Sequence, residues 1–314
     1  MLHYPHEDFN PVCGEMIMYI QTVLPAFDEL LFAAGKGNAD VAATEKLRPF
    51  YNRICSDRLL SDLMLESING ILNAKLPENC GKTFFAKDEL ETFYFLLVLA
   101  AYSGGKANFA RTPYPPEMFD EVWQDLKNWA DYYLRETGTL RLSEGVMHWY
   151  QRHLTGKLVS MGRLQFELPL FHNGAYPTEP YLNAGDAKIN MHIPACGRLD
   201  VDECVKSLRK IYDFSRKYLP DYDFKAVCCY SWLWDNALEV FLPADSNVMR
   251  LKKLGITIQS DNPSDALWRL FGETPPHEYP TPNRLQQSVL QYADNGGKLR
   301  YATLIFPFEK LAGI

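Results

Sequence analysis

Residues Gly185 to Asp235, GDAKINMHIPACGRLDVDECVKSLRKIYDFSRKYLPDYDFKAVCCYSWLWD, restrict the possible folds more than any other stretch. Ile189, Met191 and Ile193 alternate with Asn190 and His192, the period of two that belongs to a strand. Pro194 stops it. Asp200 stands where a helix N-cap belongs, with Glu203 at the capping-box spacing. Val201, Val205, Leu208, Tyr212 and Ser215 repeat at helical spacing up to Pro220, with Lys206, Arg209 and Lys210 turned elsewhere. Phe224 to Tyr230 is aromatic, β-branched and cysteine-rich, which predicts a second, more buried strand. Strand, helix and strand in this order imply a parallel pair with a right-handed crossover. The two strands are expected to lie side by side and to diverge at their carboxyl ends.

The rest of the chain falls on either side of a change near Gly138. Before it the pattern is helical: Glu15 to Leu31 with a break at Pro25, Asp57 to Leu76, Asp88 to Tyr102 ended by Gly104-Gly105, and Glu117 to Arg135. After it come a short helix (Ser143 to Leu154) and strands over Leu158 to Leu168, Val248 to Gln259 and Leu299 to Phe308. Further helices are predicted from Asn262-Pro263 to Phe271 and from Thr281-Pro282 to Gly296-Gly297. The expected architecture is α+β with an α/β-like core: a helical N-terminal domain (1–137) and a mixed-sheet domain with a β-α-β core (138–314).

Composition narrows the function classes. Of 314 residues, 47% are hydrophobic and 23% charged, as in a soluble globular protein. A net charge of −7 without a basic run argues against nucleic acid as a partner. The longest apolar run, Phe93 to Tyr102, is too short to span a bilayer. Seven cysteines without a CxxC pair fit a reducing compartment, and MLHYPHEDFNP is not a signal peptide, so a cytoplasmic protein is expected. His148 and His153 are five apart, off the spacing that sets two ligands on one helix face, and no metal is expected.

Three stretches in order, GRLQFELPLF (162–171), GDAKINMHIPACGRLDVDEC (185–204) and YSWLWDNALEVFLPADSNVMRL (230–251), resemble bacterial acyltransferase domain-containing proteins. That family pairs a helical N-acyltransferase N-terminal domain with a GNAT-like C-terminal domain. The resemblance covers about residues 138–310, and the helical half matches in general character only. It implies transfer of an acyl group from a thioester, on coenzyme A or an acyl carrier protein, to an amine of a small molecule or peptide. The amine would attack the bound thioester directly, with no covalent enzyme intermediate. It also implies a thioester cosubstrate near the turn after the first strand, at Ile193, Cys196, Gly197 and Arg198. Active GNAT enzymes carry a glycine-rich turn there, whose N–H groups hold a pyrophosphate. Here the turn has one glycine, and Asp200 and Asp202 sit at the helix start. A carboxylate in the N-cap uses the donors a phosphate needs; Arg198 offsets part of that charge.

The candidate chemistry follows from the same strands. His192 and Asn190 share a face of a central strand, where the imidazole is either a general base or a histidine with a satisfied structural bond. Glu167, on the polar face of its strand with Gln165, either orients that imidazole or belongs to a solvated face. Tyr230 and Ser231 end the second parallel strand, where α/β sheets bind ligands, and either could protonate a leaving thiolate. Cys228 and Cys229 precede them as small residues expected to be buried. Asp235 is placed to cap the next short helix. A hydrolase triad of Ser231, His192 and Asp235 is conceivable without the Gly-x-Ser-x-Gly signature. The competing reading from another class is a non-catalytic binding or regulatory protein that keeps the fold and has lost the pyrophosphate turn.

Overall fold

The computed structural model describes residues 19–76, 79–174, 181–272 and 274–314. His3, His6 and the start of the expected Glu15 helix lie outside the described residues. The chain forms two compact units. The first runs to Ser160 and includes Pro194–Cys196; the second comprises Met161–Ile193 and Gly197–Ile314. Among the described residues no helix is long and apolar enough to cross a membrane.

The first unit is helical: α1 (Phe27–Lys36), α2 (Val41–Glu45), α3 (Arg48–Ser56), α4 (Arg58–Leu72), α5 (Lys87–Ala100), α6 (Tyr102–Phe109), α7 (Met118–Trp123), α8 (Asp125–Thr137) and α9 (Glu144–Leu154), followed by β1 (Leu158–Ser160). Asp57 caps α4 by accepting the N–H groups of Leu59 and Leu60. Among the described residues the helix expected from Glu15 begins at Phe27. Upstream, the Asn108 side chain accepts the N–H of Tyr19, and Asn69 accepts the N–H of Gln21 while donating to its carbonyl, so side chains satisfy backbone groups a helix would have used. Gly104 and Gly105 do not end a helix but lie buried inside α6. A Cβ at these positions would meet Leu72 Cδ1 at 2.5 Å and Leu154 Cδ2 at 2.4 Å, so close helix packing explains both glycines. The Glu117 to Arg135 helix is two helices that meet at Gln124.

The second unit holds β2 (Gln165–Phe171), β3 (Ala187–His192), α10 (Val201–Tyr218), β4 (Phe224–Ser231), α11 (Asn247–Lys252), β5 (Ile256–Pro263), α12 (Ala266–Phe271), α13 (Arg284–Asp294) and β6 (Arg300–Pro307). These strands lie in the order β2-β3-β4-β6-β5. The β3–β4 pair is parallel, and the β2–β3, β4–β6 and β5–β6 pairs are antiparallel. The molecule is therefore α+β with a mixed sheet, and the expected parallel pair joined by α10 is its centre.

Four local expectations change. Leu158 to Leu168 is interrupted at Gly162, whose φ of 90° suits a turn, so β1 and β2 are separate strands. Val248 to Gln259 is not one strand: Ser246 caps α11, and the strand begins only after Gly255. Asn262-Pro263 does not start a helix; both residues belong to the end of β5, and α12 starts three residues later. On α10 the buried stripe is Val201, Cys204, Leu208, Ile211 and Ser215, offset from the expected one, because Cys204 and Ile211 face inward in place of Val205 and Tyr212.

Candidate functional site

Strand register brings the sequence candidates together. Glu167 on β2 stands opposite Asn190 on β3, and Asn190 opposite Cys228 on β4. Paired residues share a face, so Gln165, Glu167, Asn190, His192, Cys228 and Tyr230 lie on one side of the sheet. Phe166, Ile189, Met191 and Cys229 lie on the other. The β3–β4 ladder closes at Asn190 and Cys228, although β3 continues to His192 and β4 to Ser231. The two strands part there, at their carboxyl ends.

His192 stands at that parting. Its Nε2 is 3.2 Å from Glu167 Oε2 and 3.3 Å from Asn190 Nδ2. The side chains of His192 and Glu167 are 18% and 10% exposed, so the pair is sheltered yet reachable. Nε2 thus faces an acceptor, the Glu167 carboxylate, and a donor, the Asn190 amide nitrogen, and the tautomer sets which of the two it serves. The polar face of β2 is not solvated: Gln165 and Glu167 are buried. A carboxylate so placed requires partners, and the His192 contact supplies one.

The other candidates separate. The Tyr230 ring stacks on Tyr301, with centroids 4.6 Å apart, and its phenol oxygen accepts a hydrogen bond from Asn262 Nδ2 at 3.1 Å. Burial, reinforced by Asp265, pushes the Tyr301 phenol well above its ordinary pKa. Ser231 lies on the opposite face by strand alternation, where its Oγ accepts the Leu233 N–H at 3.2 Å. Asp235 is the expected cap: Oδ1 accepts from Ala237 N at 3.0 Å and Oδ2 from Arg300 N at 2.6 Å. That carboxylate is engaged with backbone, and the carboxylate beside His192 is Glu167. Cys228 and Cys229 are both buried. Burial pushes the Cys229 thiol up to about 12, which leaves it a poor nucleophile.

At the turn, Ile193 is half-buried, and Cys196, Gly197 and Arg198 are exposed. Gly197 has φ 115°, and a Cβ there would meet nothing within 4 Å. Asp200 Oδ1 accepts the N–H groups of Asp202 and Glu203 at 3.0 and 3.1 Å, as a cap should. Sequence reasoning missed Arg163. Its Nε donates to Arg198 O at 3.0 Å and its Nη2 to Gly197 O at 3.1 Å, while its own N–H meets Ser207 Oγ at 3.1 Å. Arg163 therefore fixes the turn and brings a second guanidinium beside Arg198. Its adjacency to Gly162 in GRLQFE was the available signal.

Residues 158–305 match the family model of the GNAT-like C-terminal domain. This part of the chain is similar to GNAT-like C-terminal domains. The whole fold is shared with solved acyltransferases. One, a mutant acyltransferase in complex with octanoyl-CoA, is 19% identical, with a TM-score of 0.76 over 90% of this chain and 89% of that one. A second, in complex with decanoyl-CoA and teicoplanin, is 19% identical, with a TM-score of 0.71 over 93% and 91%. A third, in complex with decanoyl-CoA, is 19% identical, with a TM-score of 0.71 over 91% and 90%. No curated protein matches the chain in sequence. Among the described residues no group of three His, Cys, Asp or Glu side chains could hold a metal ion.

Proposed function

We propose that this protein moves an acyl group from a coenzyme A thioester to an amine, with His192 as general base and Glu167 as the carboxylate that orients it. The observation that carries the reading is the 3.2 Å contact between His192 and Glu167 where β3 and β4 part. With Nε2–H directed to Glu167, Nδ1 accepts the proton of the attacking amine, and Glu167 offsets the charge on the imidazolium. The thioester carbonyl would lie in the parting, polarised by strand N–H groups that the parallel ladder no longer uses. Tyr230, on the His192 face, protonates the departing thiolate; Ser231 points away. Ile193, Cys196, Gly197 and Arg198 would border the phosphate end, with Arg163 adding charge.

The shared fold with acyltransferases solved with octanoyl-CoA and decanoyl-CoA supports the donor class. The complex of one of them with teicoplanin supports an acceptor that is a small molecule or peptide. The same thioester on an acyl carrier protein is the alternative donor.

The second reading, a non-catalytic GNAT-like binding or regulatory protein, has its own observation. Asp200 engages two of the N–H groups at the start of α10 that would otherwise face a phosphate, and its charge repels one. Titration calorimetry with coenzyme A and octanoyl-CoA separates the two. Under the enzyme reading the wild type binds, more weakly as salt rises, Arg198→Ala binds less tightly, and Asp200→Asn binds more tightly. If the wild type and Asp200→Asn give no heat at millimolar ligand, the binding-protein reading stands instead.

A further inference from the structure

We propose that Gln165 binds the acceptor, and that the acceptor carries a hydroxyl or amide group close to the amine it presents. The inference deepens the acyl-transfer reading above and rests on it. Gln165 stands opposite His192 in the β2–β3 ladder. Opposed residues of an antiparallel pair share a face, with Cβ atoms about 4.5–5.5 Å apart. The amide therefore lies beside the imidazole. Gln165 is 4% exposed. Among the described residues its side chain has no hydrogen-bond partner, yet neither amide atom is wholly enclosed. The three other buried side-chain amides among the described residues are engaged. Gln21 donates to Val23 O at 3.0 Å, and Asn108 Nδ2 donates to Leu72 O and Leu154 O at 3.0 and 3.1 Å. Gln286 accepts the Asn283 N–H at 2.8 Å and donates to Leu270 O. Gln165 is the exception, and it occurs next to the histidine of the candidate site.

A buried amide without a partner carries a desolvation cost that folding does not repay, and a ligand that supplies the missing bonds recovers it. The sheet order says which ligand. β3 lies between β2 and β4. In the reading above the thioester lies where β3 and β4 part, and the amine gives its proton to His192 on β3. The rest of the acceptor then extends away from the thioester, over β3 toward β2, where Gln165 stands. Its amide is uncharged and offers one carbonyl oxygen and one NH₂ group. A hydroxyl or an amide, each both donor and acceptor, matches it. A plain alkyl chain leaves it unpaired.

The test uses the full chain with octanoyl-CoA as donor probe, followed as free thiol and amide product. The acceptor probes are 2-aminoethanol and propylamine, equal in length and differing by a hydroxyl in place of a methyl. Each variant is compared with wild type on the same acceptor, so the different basicities of the two amines cancel. Gln165→Met, close in size and apolar, is expected to lower kcat/KM for 2-aminoethanol about 10- to 100-fold and to change that for propylamine less than about threefold. KM for octanoyl-CoA stays within about twofold of wild type, as expected for a residue that binds only the acceptor. Gln165→Leu repeats the pattern and guards against misfolding of one variant. Both variants melt no lower than wild type, because the amide they remove bonds nothing in the free protein. Equal losses on the two acceptors overturn this inference and leave the acyltransferase reading intact. So does a raised KM for octanoyl-CoA with unchanged acceptor preference, which assigns the amide to the donor's own amide-bearing arm. Melting points lowered by several degrees in both variants also overturn it, since Gln165 then has a structural partner. No enzyme-dependent thiol release by the wild type with either amine overturns both this inference and the acyl-transfer reading.

Discussion

In the helical unit, His153 Nε2 lies 3.3 Å from Asp125 Oδ2; in the sheet unit, His192 Nε2 lies 3.2 Å from Glu167 Oε2. The distances match, and the surroundings do not. The His153 and Asp125 side chains are 0% and 4% exposed, against 18% and 10% for the second pair. Asp125 also accepts from Asn128 Nδ2 at 3.1 Å and Trp149 Nε1 at 3.3 Å, and the Tyr150 ring stacks on His153 with centroids 4.7 Å apart. Every side of the first pair is walled by protein. The second stands where two strands separate. A histidine–carboxylate distance therefore says nothing of role; access and the strand geometry around it do.

The comparison can be broken most directly by deleting each histidine's partner system. His192→Ala is expected to lower acyl transfer by about 10²- to 10⁴-fold, the range of a general base, while melting within a few degrees of wild type. Glu167→Gln should fall between that variant and wild type. If His192→Ala retains full rate in thiol-release assays, the two pairs are alike and both are structural.

Asp125→Ala should do the reverse. Removing the Asp125 carboxylate leaves the donors of Asn128 and Trp149 without their acceptor and destabilises by about 1–3 kcal/mol or more, read as a shift in the urea midpoint. The folded fraction should keep its rate. A stable but inactive Asp125→Ala would contradict the assignment.

Acid sharpens the contrast. Burial would raise the Asp125 pKa, yet the His153 bond with those of Asn128 and Trp149 holds it below the ordinary carboxylate value. A depressed carboxylate contributes stability that is fully present above its unfolded value, near pH 4, and is lost as pH falls through the lower folded value. Urea melts between about pH 5 and pH 2 should show this loss in wild type and its absence in Asp125→Asn. Tyr150 acts at the other end: burial pushes its phenol well up, so its contribution is present below about pH 10 and fades above it.

The smallest effect concerns thiols. At pH 8, iodoacetamide should modify exposed Cys196 in the native protein, while buried Cys229 stays intact until urea is added. Peptide mapping that finds Cys229 alkylated first would show that the β4 face opposite His192 is open.

Much of this was legible in the chain. The alternation of Ile189 and Met191 with Asn190 and His192 fixes which side chains share a face, because a strand repeats every two residues. The same rule separates Tyr230 from Ser231. Asp57, Ser143, Asp200 and Asp235 announced helix starts, because each cap accepts N–H groups two or three residues ahead. Glycines misled where their reason was distant: Gly104 and Gly105 read as a helix stop, and only the approach of Leu72 and Leu154 explains them. Asn262-Pro263 read as a helix start and is a strand end, because pairing with β6 overrides the local signal.

The sequence by itself determined the central β-α-β unit, the helical character of the first half, and the acidic cap that opens α10. These depend on neighbours a few residues apart, and local periodicity and capping record them directly. Only the tertiary structure decided that Glu167 meets His192 across 25 residues, that Arg163 holds the turn at Gly197 and Arg198, and that Asn262 reaches Tyr230. Strand register sets which side chains meet across a sheet: alternation excludes a slip of one residue, which would turn the buried face outward, but a slip of two keeps every face and is settled only by turns and packing.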